Sequence, residues 1–138
     1  MKFPYKKFPL ASGAGYAYHA VIPVYIALPE KNAPRSKKLE AYIDSGASRT
    51  TFHASIAEAL GFDVKKGAVE MTTGVDGKQS TTYLHEVAFY APGGVIQIRA
   101  ALSYELPVAA LLGMDGFFEH FRVTFDPTGK FVEVERLL

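Results

Sequence analysis

Short strand-favouring segments separated by glycine and proline turns recur along most of the chain, and this pattern restricts the fold more than any other feature. Tyr, Phe, Val and Thr dominate these segments, and turn residues follow at regular intervals. The pattern predicts an all-β protein with strands at 21–28, 39–43, 68–75, 79–90, 95–102, 108–112, 122–126 and 131–136. Short helical segments are expected at 55–60 and 117–121. Residues 1–20 are interpreted as an N-terminal arm and first-strand region, and residues 21–138 as a single domain.

The composition limits the possible classes of function. The 138 residues include 49% hydrophobic residues and carry a net charge of +1, so the chain can form its own core but lacks the strong positive charge typical of nucleic-acid binding. The absence of cysteine excludes disulfides, thiolate zinc sites and cysteine nucleophiles. The histidines show no metal-ligand spacing, and no apolar run approaches the ~20 residues of a membrane helix. We therefore expect no metal, cofactor, nucleic acid or membrane partner, and a cytoplasmic protein without a signal peptide.

One acidic residue, Asp44, stands at the end of the predicted strand 39–43 and is followed by Ser45 and Gly46. A carboxylate at the end of a buried strand is costly unless it has a role. The alternative is a turn aspartate that accepts hydrogen bonds from nearby backbone amides. Because such triplets are common in turns, the rest of the chain must decide between a catalytic and a structural aspartate.

Two later segments provide that context. Asp76–Gly77 lies between two strand-like runs and predicts a two-residue hairpin turn. Leu111, Leu112 and Gly113 then end a second buried strand. In this order, the segment Asp44-Ser-Gly-Ala-Ser, the hairpin and Leu-Leu-Gly resemble the single-domain, retropepsin-like aspartic proteases of viruses and bacteria. The resemblance implies a closed acid-protease barrel with a flap hairpin and one or two short helices, extending over residues 21–137.

The resemblance also implies a function and a set of site residues. The chain would be an aspartic endopeptidase that acts as a homodimer, with one catalytic aspartate from each subunit activating a water molecule. Its peptide or protein substrate would bind in an extended conformation, with a preference for hydrophobic residues. The implied residues are Asp44, Ser45 and Gly46 for catalysis; Ala47, Ser48, Gly74, Val75, Asp76 and Gly77 for substrate binding; and Leu111, Leu112 and Gly113 as support beneath the loop.

The chain departs from the family pattern at two positions. Met114 stands where relatives often have an arginine that braces the active-site region, and Arg49 is a candidate replacement. Ala47 stands where some relatives have a hydroxyl that stabilises the charged carboxylate. We therefore expect a mildly acidic to neutral pH optimum. Asp115 is predicted to cap the helical segment at 117–121.

Two other functions are compatible with the sequence. A catalytically silent retropepsin-like module could serve in dimerisation or peptide binding, since a fold does not determine an activity. A small-ligand β-barrel would instead be a monomer with an internal apolar cavity. The oligomeric state separates this barrel from the enzyme, because one chain supplies a single Asp-Ser-Gly.

Overall fold

The computed structural model describes residues 1–137 and confirms an all-β fold with one short α-helix. Within these residues, no helix is long and apolar enough to cross a membrane. A 3₁₀ turn at Val64–Lys66 follows the helix α1 (Ala54–Ala59). The strands are β1 (Lys2–Pro4), β2 (Lys6–Pro9), β3 (Tyr16–His19), β4 (Val21–Ala27), β5 (Leu39–Ile43), β6 (Thr51–His53), β7 (Ala68–Thr73), β8 (Gln79–Ala91), β9 (Gly94–Ser103), β10 (Ala110–Leu112), β11 (Phe121–Asp126) and β12 (Phe131–Arg136).

Six strands close into a barrel in the order β4-β5-β10-β6-β9-β8, and β7 extends the sheet beyond β8. Strand β4 closes the ring because its first half, Val21–Val24, pairs with β5, whereas Tyr25–Ala27 pairs with β8. Pro23 lies in the half that pairs on one side only. This position explains how a strand can contain proline, which has no N–H to donate to a second neighbour.

Aromatic side chains fill much of the interior. Phe52, Phe89 and Phe117 are fully buried, and the ring centroids of Phe89 lie 5.9 Å from Phe52 and 6.4 Å from Phe117. Phe121 stacks on Phe117 at 4.9 Å. By contrast, Phe125 is 40% exposed, because it lies on the outer sheet formed by β1, β12 and β11.

The N-terminal region packs on the barrel. Strand β1 pairs antiparallel with β12, and β2 and β3 form a hairpin. The segment 12–15, within the predicted N-terminal arm, lies in the loop of this hairpin, which is closed by the Leu10 N–H donating to the Gly15 carbonyl at 2.9 Å. Phe8 of the hairpin stacks on Tyr42 of β5, with 6.0 Å between ring centroids. The hairpin thereby contacts the strand that leads to Asp44.

The two predicted helical segments have different outcomes. Helix α1 forms one residue earlier than predicted, because the His53 Nδ1 caps it by accepting the Ser55 N–H at 3.1 Å. Residues 117–120 form consecutive turns and no helix. Gly116 has a φ of +90°, which interrupts any right-handed helix from the preceding residues. The Glu119 carboxylate accepts the Gly116 N–H at 2.7 Å.

Candidate active site

The loop that carries Asp44 continues directly from β5. The Asp44 N–H donates to the Leu112 carbonyl at 2.9 Å, which extends the parallel pairing of β5 with β10 by one residue. The Asp44 carbonyl then accepts the Ala47 N–H at 3.1 Å, and its carboxylate Oδ1 accepts the Gly46 N–H at 2.9 Å. The loop is therefore a tight turn anchored to a buried strand.

The side chain of Asp44 is exposed in the single chain, as are Ser45 and Gly46. The expectation of a buried carboxylate is therefore wrong for one chain: Leu39 and Ala41 of β5 are buried, but the strand emerges before Asp44. The amide hydrogen bond to Asp44 Oδ1 is the one that a structural turn would have, so the turn itself does not distinguish the two interpretations. An exposed carboxylate on an anchored loop can exchange a proton with water or with a second acid.

Gly113 lies where β10 passes beneath the loop. A Cβ atom at this position would lie 2.5 Å from the Arg49 carbonyl oxygen and 2.7 Å from that of Ala47. Only glycine permits this approach, because both neighbours are backbone atoms that cannot rotate away. Leu112 is fully buried, and Leu111 is partly buried. The structure thus brings the predicted support residues Leu112 and Gly113 into contact with the loop.

Three backbone hydrogen bonds fasten the loop to the segment after Gly113. The Met114 N–H donates to the Ala47 carbonyl at 2.9 Å, and the Asp115 N–H donates to the Ser48 carbonyl at 3.0 Å. The Thr50 N–H donates to the Asp115 carbonyl at 2.9 Å. These bonds fix the C-terminal side of the loop, and the bond from the Asp44 N–H to Leu112 fixes its start, which limits the freedom of the backbone around the carboxylate.

Thr50 is a structural residue that the sequence analysis missed. Its side chain is fully buried, and its Oγ1 accepts the Gly113 N–H at 3.1 Å. Its carbonyl accepts the Ala101 N–H of β9 at 2.9 Å. A threonine after a polar loop carries no signal of burial by itself. Only the proximity of Gly113, which is distant in sequence, reveals the role.

The hairpin of β7 and β8 ends in a three-residue loop, so the predicted two-residue turn is wrong. The Gly74 N–H donates to the Lys78 carbonyl at 2.9 Å, and the Gly74 carbonyl accepts the Gly77 N–H at 3.0 Å. Gly77 has a φ of +81°, the left-handed conformation that commonly ends such loops. Val75 is fully exposed at the tip, and Asp76 Oδ1 accepts the Lys78 N–H at 3.0 Å.

Arg49 links the Asp44 loop to this hairpin. Its Nε donates to Glu70 Oε1 at 2.6 Å and its Nη2 donates to Glu70 Oε2 at 2.9 Å, a two-pronged ion pair with β7. The hydrogen bonds with Arg49 hold the pKa of Glu70 below its ordinary value, and those with Glu70 raise the pKa of Arg49. Met114, at the position where relatives often have a bracing arginine, is 50% exposed.

The prediction that Asp115 caps a helix is wrong, because the residues that follow it form no helix. Its Oδ2 instead accepts a hydrogen bond from Arg49 Nη1 at 3.4 Å. This carboxylate is 61% exposed, so the contact is weaker than the pair with Glu70. Arg49 was predicted from the sequence as a brace, but its main partner, Glu70, was not.

The chain belongs to the aspartyl protease family. The family model described as aspartyl protease matches residues 34–116, more than half of the 138-residue chain. Every site residue that the sequence analysis named lies within this matched range. No curated protein matches the sequence.

Solved structures confirm the retropepsin-like fold. A retropepsin-like aspartic protease from Rickettsia conorii is 17% identical with a TM-score of 0.59, and the match covers 96% of this chain and 99% of the other. The EIAV protease complexed with the inhibitor HBY-793 is 20% identical with a TM-score of 0.52, over 70% and 82%. The retroviral protease-like domain of Ddi1 from Leishmania major is 15% identical with a TM-score of 0.55, over 86% and 90%. These identities establish the fold alone.

Proposed function

We propose that the chain is an aspartic endopeptidase that acts as a homodimer. The observation that carries this proposal is the exposed Asp44 carboxylate on a loop braced from beneath by Gly113, in a member of the aspartyl protease family. A fixed loop that presents its carboxylate outward is suited to placing that carboxylate against a second one in a defined geometry. One chain contributes one such aspartate, so a second copy supplies its partner.

The reaction follows from the chemistry of a carboxylate pair. Two carboxyl groups about 3 Å apart cannot both ionise, so they share one proton. The deprotonated group accepts a proton from water, while the protonated group donates one to the carbonyl oxygen of the peptide bond. The water oxygen bonds to the carbonyl carbon as it gives up this proton. The tetrahedral species collapses when the carboxyl that took the proton donates it to the amide nitrogen, while the other carboxylate accepts a proton from a hydroxyl of that species. The amine leaves, and the pair again holds one proton. The pH dependence belongs to the pair of aspartates.

The hairpin of β7 and β8 is proposed to act as a flap over the substrate. An extended peptide would form backbone hydrogen bonds with the protein and place alternate side chains in pockets. Val75, fully exposed at the tip, offers an apolar contact to such a peptide. Its exposure supports the proposed preference for hydrophobic segments.

The test is cleavage of an unfolded, hydrophobic peptide library by the wild type and by Asp44→Asn, measured across pH. We expect Asp44→Asn to lose cleavage by at least about a thousandfold with an unchanged Tm, because the substitution preserves shape but removes the acid. The matched control is Asp63→Asn, a second exposed aspartate that pairs with Lys66, away from the loop. It should cleave like the wild type.

The oligomeric state completes the test. Sedimentation should show a dimer at the concentrations at which cleavage occurs. Equal residual activity in the wild type and Asp44→Asn would refute the catalytic proposal, and a dimer that binds peptide without turnover at any pH would favour the silent module. A strongly acidic optimum would contradict the expectation drawn from Ala47.

A further inference from the structure

Strand β7 has few connections outside its own hairpin. Among residues 1–137 it is the terminal strand of the barrel sheet and pairs only with β8. Within the described residues, most of its side-chain hydrogen bonds stay inside the hairpin, as Thr72 with Ser80 and Met71 with Thr81 illustrate. The exception is Glu70, whose carboxylate binds Arg49. The hairpin beyond Glu70 is therefore attached to the barrel through β8 and through this one ion pair.

Both ends of the ion pair are held in place by other bonds. The Arg49 backbone forms a parallel bridge with Asp115, and its carbonyl oxygen lies against Gly113. On the other side, the Glu70 carbonyl accepts the hydroxyl of the buried Thr82 at 3.0 Å, which fixes the register of β7 on β8. Displacement of the hairpin must therefore change the distance between the two charged groups.

The geometry of the pair suits a mechanical link. The planar guanidinium binds both carboxylate oxygens at 2.6 and 2.9 Å, and such two-pronged pairs restrict orientation as well as distance. The side chains are 25% and 31% exposed, so water screens the pair less than it screens a fully exposed one. Arg49 also lies only five positions after Asp44, on the opposite side of the braced loop.

We propose that Arg49 is a positioning residue that couples the proposed flap to the loop that carries Asp44: through Glu70 it holds the hairpin beside this loop. This inference rests on the proposed function for its catalytic consequence, but the link itself exists in the folded chain. The pair limits how far residues 71–81 lift away from the barrel. Its loss leaves the hairpin attached through β8 alone, and the open position becomes more populated.

Amide hydrogen exchange measures this link without any need for activity. The variants are Arg49→Lys, which keeps the charge but loses the planar fork, Glu70→Gln, and the double variant. We expect exchange in residues 71–81 to accelerate about threefold to tenfold in each single variant, with little change elsewhere. The double variant should exchange no faster than the faster single variant, because both substitutions break the same contact.

The matched controls are Arg122→Lys and Glu135→Gln, which alter an exposed pair at 3.8 Å between β11 and β12. These controls should leave exchange at 71–81 unchanged. In the active enzyme, Arg49→Lys and Glu70→Gln should raise KM for a peptide more than they lower kcat, because the flap contributes to binding before the chemical step. If the pair were merely structural, its loss would lower the Tm without raising KM more than it lowers kcat.

The outcomes separate the two proposals. If the variants exchange faster at 71–81 but the wild-type protein shows no peptide cleavage, the link is retained and the protease proposal is refuted. Unchanged exchange at 71–81 in both single variants, or strictly additive effects in the double variant, would overturn the link even if Asp44 is catalytic.

Discussion

Gly113→Ala should damage the site from beneath, because the new methyl group has no space. The Cβ would lie 2.5 Å from the Arg49 carbonyl oxygen and 2.7 Å from that of Ala47, so β10 and the loop must separate by about half an ångström. Backbone conformation contributes no penalty, since the φ of Gly113 lies outside the left-handed region. The cost therefore comes from the bonds that the separation weakens.

The magnitude follows from those bonds. Three hydrogen bonds cross the contact, at 2.9 to 3.1 Å: Gly113 to Thr50, Met114 to Ala47 and Asp115 to Ser48. At about 1 kcal/mol for each, their loss lowers the free energy of unfolding by about 2–4 kcal/mol, including the overlap. Because misplacement by about 1 Å can cost about a hundredfold in rate, we expect kcat/KM of the folded protein to fall at least about tenfold.

Urea denaturation and peptide cleavage below the unfolding transition test both numbers. Ile26→Ala is the control, since Ile26 is fully buried in the β4–β8 pairing and its truncation costs about 2–5 kcal/mol. This control should lose stability but retain kcat/KM per folded molecule. A Gly113→Ala protein with wild-type stability and wild-type cleavage would show that the close approach is unimportant.

Two further predictions concern single hydrogen bonds. Thr50→Val leaves the buried Gly113 N–H without its acceptor and should cost about 1–3 kcal/mol in urea denaturation, whereas Thr50→Ser retains the hydroxyl and should cost less; equal losses would contradict the role of the bond. The Glu70 pKa is lowered below its ordinary 4.5 chiefly by the hydrogen bond from Arg49, with a smaller contribution from Arg99, while Asp115 competes for the same guanidinium. The pair therefore stabilises the fold above pH 4.5, and this stabilisation disappears as the pH falls through the lowered pKa of Glu70. Glu70→Gln should be less stable than the wild type by up to about 1 kcal/mol at neutral pH and equally stable in acid. A difference in stability that persists in acid would refute this assignment.

The sequence predicted elements whose causes are local. Strand β5 has the predicted bounds, Leu39–Ile43, because a short apolar run ends at a turn signal. The hairpin of β7 and β8 was also found, but its loop length was not. Asp76–Gly77 fits a two-residue turn in isolation. In the structure, the Gly74 N–H binds the Lys78 carbonyl and the Gly74 carbonyl binds the Gly77 N–H, which closes a three-residue loop. Residue types identify a turn more readily than they determine the alignment of its strands.

Features that depend on distant residues could not be predicted in the same way. The pairing of β4 with β8 closes the barrel, yet nothing in residues 21–27 distinguishes a strand with one partner from a strand that changes partner. Likewise, Arg49 and Glu70 are ordinary charged residues in the sequence, and their pairing requires that β7 lie beside the loop. Gly113 is the informative intermediate case, because a glycine after a buried strand indicates close packing without naming the neighbour.

The exposure of Asp44 changes where the cost of the proposed catalytic acid arises. A carboxylate buried by folding would lower the stability of each chain, and its replacement by asparagine would then stabilise the protein. Asp44 is exposed, whereas Thr50 and Gly113 are buried beneath it. Folding of the single chain therefore has no cost for desolvating the carboxylate, and it buries only the residues that support the loop. Substitutions at Asp44 should therefore affect catalysis with little effect on stability, and substitutions at Thr50 or Gly113 should affect both. The contrast between these two classes of variant is a sharper test of the braced-loop mechanism than the loss of activity alone.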